Sequence, residues 1–243
     1  LFDFLGQGHP TRRFQLVGTG MTRYITEMQP RELAHVIAML ALYRPGPMDN
    51  IPQFIESKWD PSKITYPHPS LQKVLEETYG VIVYQEQVME IAQIVGGFSL
   101  GQADILRRAM GKKKEKVMST MKQDFLKGAE ERGYSRKEAE KVFELLIPFA
   151  GYGFNKSHAA AYSILAYKTA YLKANFPAEF MAANLTNEIN NQDKLSEYIQ
   201  ETRSLSIEIL PPNINLSEKY FTVVGGNIVY GLVGVKNVGG AAV

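Results

Sequence analysis

Helix start signals in the middle of the chain constrain the fold more than any other feature of the sequence. Ser99 is followed three residues later by Gln102, and Ser135 is followed by Glu138 at the same spacing. This is the spacing of a capping box, in which two side chains bond the free backbone N–H groups at a helix start. Apolar residues recur at helical spacing after each box and also over Val117–Phe125 between them. The pattern therefore predicts three consecutive helices that end near Gly111, Gly133 and Gly151-Tyr152-Gly153.

Helical patterns also lie on either side of this region. Four elements are predicted before it: a helix stopped by Pro45 and Pro47, a helix capped by Ser70 and ending near Gly80, a buried extended segment over residues 81–84, and a helix ending at Gly96-Gly97. After it, a run of Ala, Leu and Tyr from about Ser157 to Phe176 predicts a long, largely buried helix. Shorter helices are predicted over residues 178–188 and 192–204.

The sequence pattern changes after Leu205. Ile207 and Ile209 precede a Gly225-Gly226-Asn227 turn that is followed by Ile228, and this pattern predicts short strands and a hairpin. The expected fold class is therefore mainly α, with a short β-hairpin region towards the C-terminus.

The composition excludes several classes of site. The 243 residues include no cysteine, which excludes disulfide scaffolds, thiol catalysis, iron–sulfur clusters and cysteine zinc sites. There are 27 lysines and arginines against 25 acidic residues, so the total charge says little about nucleic-acid binding. No apolar run is long enough to cross a bilayer and no signal pattern is present, which favours a cytoplasmic protein without membrane contact. The start at Leu1 suggests a piece of a longer protein.

Positive charge is concentrated between residues 107 and 122. This stretch sets one acid, Glu115, against the basic residues Arg107, Arg108, Lys112, Lys113, Lys114, Lys116 and Lys122. Arg108 and Lys112 are one helical turn apart, and Gly111 lets the next lysines point the same way, an arrangement that suits phosphate oxygens. A solvated charged face is the alternative. Arg44, on the stiff turn Tyr43–Met48, is a further candidate for DNA or phosphate contact.

The loop from Gly151 to His158 is the second candidate site. It delivers aromatic, amide, ammonium, hydroxyl and imidazole groups to the start of a helix, from Tyr152, Asn155, Lys156, Ser157 and His158. A helix N-terminus offers free N–H groups to an anion, and aromatic rings can stack on a base. The loop therefore predicts nucleotide binding. A capped helix start, with Ser157 or Asn155 as the cap, is the alternative.

Other motifs with a known chemistry are missing from the sequence. The four histidines are scattered, and no D-x-D, H-x-x-E, H-E-x-x-H, Walker or G-x-G-x-x-G pattern occurs. Glu86 and Glu90 lie one turn apart on a predicted helix, and we interpret them as solvent-facing. The residues themselves thus predict a helical domain that binds phosphate or nucleic acid.

Five blocks of sequence are informative when they are taken in order. They are Phe14-Gln15-Leu16 with Gly20-Met21, Ala41–Met48, Gly80–Gln87, Ala103–Lys113 and Phe149–Tyr162. Together they resemble the C-family of bacterial replicative DNA polymerases, the family of the DNA polymerase III alpha subunit. Val17 departs from the family pattern, which usually has a glutamate there, and residues 9–13 are also unlike the family.

The resemblance implies a domain organisation and a reaction. Residues 1–48 would be the end of the palm and its passage to the fingers, residues 49–205 the helical fingers domain, and residues 206–243 the start of a β-containing region that precedes helix-hairpin-helix modules. The reaction would be template-directed nucleotidyl transfer in DNA replication, with deoxynucleoside triphosphates and primer-template DNA as partners. Palm aspartates outside the chain would hold Mg²⁺, and other regions would bind the sliding clamp and further replicase subunits. The chain alone would therefore be inactive.

The resemblance also implies roles for individual residues. Arg107 and Arg108 would face the triphosphate of the incoming nucleotide. His158 would act as a steric gate against a ribose 2′-OH, with Tyr152 and Ser157 shaping the same pocket. Two other hypotheses compete with a polymerase fingers domain: a non-catalytic helical nucleic-acid-binding module, and a helical protein-interaction scaffold, which leaves the basic cluster unexplained.

Overall fold

The computed structural model describes residues 1–6, 16, 18–111 and 115–243, with the side chains of residues 4, 111, 115, 116 and 150–152 excepted. The described residues form two compact units. The first unit contains those from 2 to 166, and the second contains Leu1 and Tyr167–Val243. Within the described part of the chain, each helix is too short or too polar to cross a membrane.

Helices make up nearly all of the regular structure in the first unit. In chain order they are α1 (Phe2–Gly6), α2 (Thr19–Met28), α3 (Leu33–Leu42), α4 (Ile51–Trp59), α5 (Gln72–Leu75), α6 (Gln85–Ile94), α7 (Leu100–Gly111), α8 (Glu115–Glu131) and α9 (Arg136–Tyr152). Helix α10 (Lys156–Asn175) begins in this unit and ends in the second. The predicted helices α3, α6, α7 and α8 are confirmed.

Both capping boxes form as the sequence predicts. Ser99 N donates to Gln102 Oε1 (2.9 Å) and Gln102 N donates to Ser99 Oγ (3.3 Å) at the start of α7. At the start of α9, Ser135 N donates to Glu138 Oε2 (2.9 Å) and Glu138 N donates to Ser135 Oγ (3.3 Å). The Ser135 hydroxyl and N–H bonds also hold the pKa of the Glu138 carboxyl below its usual range. Because these bonds satisfy N–H groups that have no partner within the helix, α7 and α9 begin where they are predicted.

Helix α9 ends within the Gly151-Tyr152-Gly153 segment, where the sequence predicts its end. It contains Pro148 and runs to Tyr152, and Gly153 is its C-cap. The helix buries Val142 and Leu146 in the core of the first unit. Tertiary packing of this face outweighs the low helix propensity of glycine and proline.

The segment after His68 departs from the prediction. Instead of one helix capped by Ser70, the chain forms turns of 3-10 helix over Pro69–Leu71 and Glu76–Thr78 around the short α5. His68 Nδ1 accepts from the Ser70 N–H (3.2 Å), so the imidazole is the cap. The Ser70 hydroxyl lies 2.9 Å from the same Nδ1 and accepts from Tyr134 Oη (2.8 Å). The predicted cap is therefore wrong because an uncommon capping side chain precedes the serine.

Only one face of α10 is buried, whereas the sequence predicts a largely buried helix. The buried residues recur every three or four positions and are mostly small: Ala159, Ser163, Ala166, Ala170 and Lys173. Large apolar side chains are exposed instead, among them Tyr162, Ile164, Leu165 and Leu172. Because apolar residues lie all round this helix, its composition does not reveal which face packs.

The core of the first unit contains side chains from helices α5 to α9. The Phe125 ring lies 6.0 Å from the Phe98 ring and 5.2 Å from the Phe143 ring, measured between centroids. Helix α8 approaches the main chain after α6 very closely at Gly128, where an added Cβ would lie 1.9 Å from the carbonyl oxygen of Gly96. This contact requires glycine at position 128 because only a residue without Cβ leaves room for the carbonyl.

The second unit combines helices with a small sheet. The end of α10 is followed by α11 (Pro177–Asn187), α12 (Gln192–Ser204), β1 (Ile209–Leu210), β2 (Thr222–Val224) and β3 (Asn227–Val229). The strand order is β1-β3-β2, with β1 parallel and β2 antiparallel to β3. Gly225 and Gly226 join β2 to β3 with φ angles of 60° and 83°, which this type of hairpin turn needs. The predicted short helices and hairpin are confirmed, and the fold is mainly α.

An ion pair is buried inside the second unit. Lys173 Nζ on α10 contacts Glu201 Oε1 on α12, and the two side chains are 1% and 4% exposed. The apolar core of the same unit includes Met181, Leu195 and Ile228 from α11, α12 and β3. A charge is tolerated at this depth only because its partner is held against it.

His35 is a buried histidine in the first unit. Its Nδ1 accepts from the Arg31 N–H (3.0 Å), so the ring proton lies on Nε2, which donates to Tyr79 Oη (2.6 Å). Burial lowers the pKa of His35, and the nearby Lys58 ammonium lowers it further, while Glu32 opposes the shift. The structure therefore holds His35 in its neutral form.

We expect the free energy of unfolding to decrease when the pH is lowered below about 6.5, the usual histidine pKa. In that range the unfolded chain binds a proton that the folded chain does not. The stabilisation from neutral His35 is fully present above that pH and is lost as the pH falls towards the lowered pKa of the folded state. The contribution to the slope is up to about 1.4 kcal/mol per pH unit. Urea unfolding at a series of pH values checks this. If His35→Gln shows the same slope of unfolding free energy against pH as the unsubstituted chain, the prediction is contradicted.

Candidate functional site

The extended segment before α6 is the structural base of the site. The Gln87 side chain holds it: Oε1 accepts from Val83 N (2.8 Å) and Tyr84 N (3.0 Å), and Nε2 donates to Val74 O (3.1 Å) and Thr78 Oγ1 (2.8 Å). All these groups are buried, so the amide satisfies polar atoms that would otherwise be costly to bury. The predicted buried extended segment is confirmed, and a parallel bridge pairs its Tyr84 with Phe154.

Gln85 joins this segment to both predicted binding elements. The Phe154 N–H donates to Val83 O (3.2 Å), and the Gln85 N–H donates to Phe154 O (2.9 Å). The Gln85 side chain accepts from Arg107 Nη1 through Oε1 (3.2 Å). A Cβ at Gly153 would lie 2.7 Å from Phe149 O and 3.2 Å from Gln85 Cγ, so the glycine permits this close approach. The loop and the arginine helix are thus linked through one residue.

Arg107 and Arg108 share one carboxylate on α7. Arg107 donates to Asp104 Oδ1 through Nε (3.1 Å) and Nη2 (2.7 Å), and Arg108 Nη2 donates to Asp104 Oδ2. The hydrogen bonds from Arg107 and Arg108 lower the pKa of Asp104, so the carboxylate stays ionised. Arg107 is 25% exposed and Arg108 60%. The sequence analysis missed Asp104, although its spacing of three and four residues from the arginines is a recognisable signal.

The basic segment continues after the arginine pair with three lysines. Lys112, Lys113 and Lys114 lie outside the described residues. Their predicted contact with phosphate stays a prediction. The described side chains of the basic cluster are the arginine pair and Lys122, whose Nζ lies 3.5 Å from Glu144 Oε1.

Asn155 caps the N-terminus of α10. Its Oδ1 accepts from His158 N (2.8 Å), and its Nδ2 donates to Glu86 Oε1 (3.1 Å). The Lys156 N–H donates to both oxygens of Glu86 (3.1 and 3.0 Å). The sequence predicts free N–H groups here for an anion, but those of Lys156 and His158 already have internal acceptors. Asn155 as the cap, one of the two open alternatives, is confirmed.

The Lys156 side chain contacts an acidic residue. Its Nζ lies 2.5 Å from Glu77 Oε2 and 5.3 Å from the centroid of the Tyr84 ring. Burial raises the pKa of the Tyr84 hydroxyl, and the negative charges of Glu77 and Glu86 raise it further. In this conformation the ammonium is neutralised internally, and a ligand anion would have to compete with Glu77 for it.

His158 presents its imidazole at the surface of the first unit. The ring centroid lies 5.3 Å from that of Phe154 and 4.4 Å from that of Tyr162. These rings, with Leu40 and Ala159, line a cavity of about 190 Å³. Ser157 is exposed next to His158, and the side chain of Tyr152 lies outside the described residues.

Arg44 belongs to the same site because its guanidinium packs on the Phe154 ring. Its guanidinium lies 4.3 Å from the Phe154 ring centroid, and its Nε donates to Ala41 O (3.0 Å). Burial lowers the pKa of Arg44. The turn that carries it contains Gly46 with a φ of 100°, a conformation that favours glycine. The guanidinium therefore has a fixed position against the loop that bears His158.

Contacts bring the described candidate residues together in one place. Arg107 meets the loop through Gln85, Arg44 meets it through Phe154, and Glu86 holds its end. Sequence reasoning missed Gln85 and interpreted Glu86 as solvent-facing, whereas Glu86 is half-buried and hydrogen-bonded. Its neighbour on the helix, Glu90, is exposed as expected. Among the described residues, no cluster of three or more histidine or acidic side chains could share a metal ion.

Comparisons with known proteins agree on one family. Residues 1–133 match the model of the bacterial DNA polymerase III alpha subunit finger domain. Residues 206–243 match the model of a helix-hairpin-helix motif. The first match covers more than half of the 243-residue chain and includes four of the five sequence blocks, while Phe149–Tyr162 lies beyond it.

Curated relatives match along the full length of the chain. The DNA polymerase III subunit alpha of Borreliella burgdorferi is 60% identical over 242 residues, which cover 100% of this chain and 21% of that protein. The Treponema pallidum subunit is 58% identical over 98% of this chain and 20% of its own length, and the Thermus aquaticus subunit is 50% identical over the same shares. The chain thus spans about a fifth of the length of these relatives. By its match to the finger-domain model and its identity to these subunits, the chain belongs to the bacterial DNA polymerase III alpha subunit family.

Proposed function

We propose that the chain is the fingers part of a replicative DNA polymerase, where it binds the incoming deoxynucleoside triphosphate and primer-template DNA. The name of its relatives, DNA polymerase III subunit alpha, supports the polymerase reaction. The observation that carries the proposal is the bond from Arg107 to Gln85, because Gln85 also bonds the main chain of the loop that bears His158. A candidate phosphate ligand and a candidate sugar contact therefore belong to one connected site.

Arg107 and Arg108 are proposed to bind the triphosphate. A guanidinium forms charge-assisted, often bidentate bonds to phosphate oxygens, and these bonds strengthen as negative charge develops during nucleotidyl transfer. Asp104 keeps the two guanidiniums side by side before the ligand arrives, because it neutralises their mutual repulsion. The described residues do not supply a metal site. Mg²⁺, which stabilises phosphoryl transfer when bound, is proposed to be held by aspartates of the palm outside this chain.

His158 is proposed to exclude ribonucleotides by contact with the sugar. The ring lies against those of Phe154 and Tyr162, and we propose that this packing holds it in place when a 2′-OH approaches. Arg44 packs on the Phe154 ring of this cluster, and we propose that it and the lysines after Gly111 contact the DNA backbone.

Removing the arginine pair is expected to raise the KM for deoxynucleotides. Arg107→Ala and Arg108→Ala, placed in the intact alpha subunit, each remove charge-assisted bonds worth about 1.5–3 kcal/mol, which corresponds to a rise of about ten- to a hundredfold. Steady-state primer extension over a range of deoxynucleotide concentrations measures this. Arg136→Ala is a matched control, since Arg136 pairs with Glu130 and Glu140 at the surface of α9.

An unchanged KM in both variants would contradict the triphosphate assignment. If the variants instead lost affinity for DNA to the same extent with and without nucleotide, and the salt dependence of DNA binding became shallower, the chain would act as a general nucleic-acid binder. Measuring DNA affinity at several salt concentrations distinguishes the two cases.

A further inference from the structure

Glu86 connects two helices that are far apart in the sequence. It lies in the first turn of α6, yet its carboxylate bonds the first residue of α10 and the residue before it. One oxygen accepts from Asn155 Nδ2 (3.1 Å), and both accept from the Lys156 N–H (3.1 and 3.0 Å). A negative charge at this point is also favourable because it faces the positive end of the α10 dipole.

The Asn155 amide passes this contact on to His158. Because Nδ2 donates to Glu86, the other end of the same amide, Oδ1, faces the His158 N–H and accepts from it (2.8 Å). The orientation of the amide is thus set at one end by Glu86 and used at the other end by the backbone of His158. The imidazole itself does not contact Glu86.

We propose that Glu86 is a positioning residue that fixes the first turn of α10 and thereby the position of the His158 ring at the cavity that it lines. This inference rests on the proposed function of His158 as a gate. Without the carboxylate, the Asn155 amide loses the partner that orients it, and the Lys156 N–H loses its acceptor. The first turn of α10 then frays, and the His158 ring moves away when a 2′-OH approaches.

The substitutions available at this position separate charge from shape. Glu86→Gln keeps one oxygen as an acceptor but replaces the other by a donor, which cannot accept from the Lys156 N–H. Glu86→Ala removes both acceptors. Glu90→Ala is the matched control, because Glu90 is a glutamate of the same helix, one turn further on and exposed.

The test compares these variants with His158→Ala in the intact alpha subunit. The readout is the ratio of kcat/KM for a deoxynucleotide to that for the matching ribonucleotide on a primed template. His158→Ala and Glu86→Ala are each expected to lower this ratio about tenfold or more, Glu86→Gln to lower it by a smaller factor, and Glu90→Ala to leave it unchanged. The double variant Glu86→Ala/His158→Ala is expected to match His158→Ala alone, since both changes act through the same ring.

The outcomes separate this inference from the function on which it rests. If His158→Ala lowers the ratio and both Glu86 variants leave it unchanged, the gate stands and the positioning role of Glu86 is wrong. If the Glu86 variants lower kcat/KM equally for both nucleotides, Glu86 is merely structural and the inference is overturned. If His158→Ala leaves the ratio unchanged, the gate is absent and the inference fails with it. Should Glu86→Ala not fold, the result with Glu86→Gln decides.

Discussion

Replacing Lys173 by methionine is expected to destabilise the chain by about 3–5 kcal/mol, because it leaves a buried carboxylate without its paired cation. Lys173 and Glu201 are 1% and 4% exposed, so water cannot solvate the remaining charge. Methionine keeps much of the volume of the lysine side chain, and little of the loss comes from a cavity. Urea unfolding followed by far-ultraviolet circular dichroism measures the change.

The double variant Lys173→Met/Glu201→Leu is the control for this effect. Removing both charges together avoids the unpaired carboxylate, and apolar replacements of similar volume are often neutral relative to a buried ion pair. Most of the lost stability is therefore expected to return. A double variant as unstable as Lys173→Met would show that lost packing, and not the unpaired charge, causes the destabilisation.

Gly128→Ala is expected to destabilise the first unit by about 2–3 kcal/mol, because overpacking forces main-chain atoms apart. The added Cβ would lie 1.9 Å from Gly96 O and 2.9 Å from Gly96 C, and neither atom can move as a flexible side chain does. Trp59, the only tryptophan of the sequence, lies in the same unit, so urea unfolding followed by its fluorescence reports the change.

Gly101→Ala provides the matched comparison on a neighbouring helix. Gly101 lies in α7, and a Cβ there would meet nothing within 4 Å. Alanine in a helix is about 0.5–1 kcal/mol more stable than glycine, so this variant is expected to gain stability. If Gly101→Ala and Gly128→Ala lose equal stability, the loss is a general effect of alanine at helical glycines. The close approach of Gly128 to Gly96 would then not be its cause.

The helices that the sequence predicts most accurately are those with local signals. The Ser99 and Ser135 capping boxes join residues three positions apart, and both form as predicted. The hairpin at Gly225-Gly226 is equally local. The prediction fails where packing decides: α10 exposes one apolar side that composition alone cannot identify.

Part of the candidate site was also predictable, because some of its residues carry local sequence signals. Arg107, Arg108 and the loop up to His158 can be found from charge and motif, and the structure connects them. Gln85 and Glu86 could not be identified as site residues, because their partners are distant in the sequence and no local pattern predicts such contacts. An acidic pair one turn apart is usually solvent-facing, and this expectation was wrong for Glu86.

The distance along the chain between Glu86 and its partners has a consequence for how the site is built. The capping boxes close over 3 residues, whereas the Glu86 contacts close over 69 and 70. Local turns form in about a microsecond, but contacts between distant segments must wait until the intervening helices have compacted. We infer that helices α6 to α9 are ordered before the α10 N-terminus docks on α6. During synthesis the cavity beside His158 would then be among the last parts of the first unit to mature.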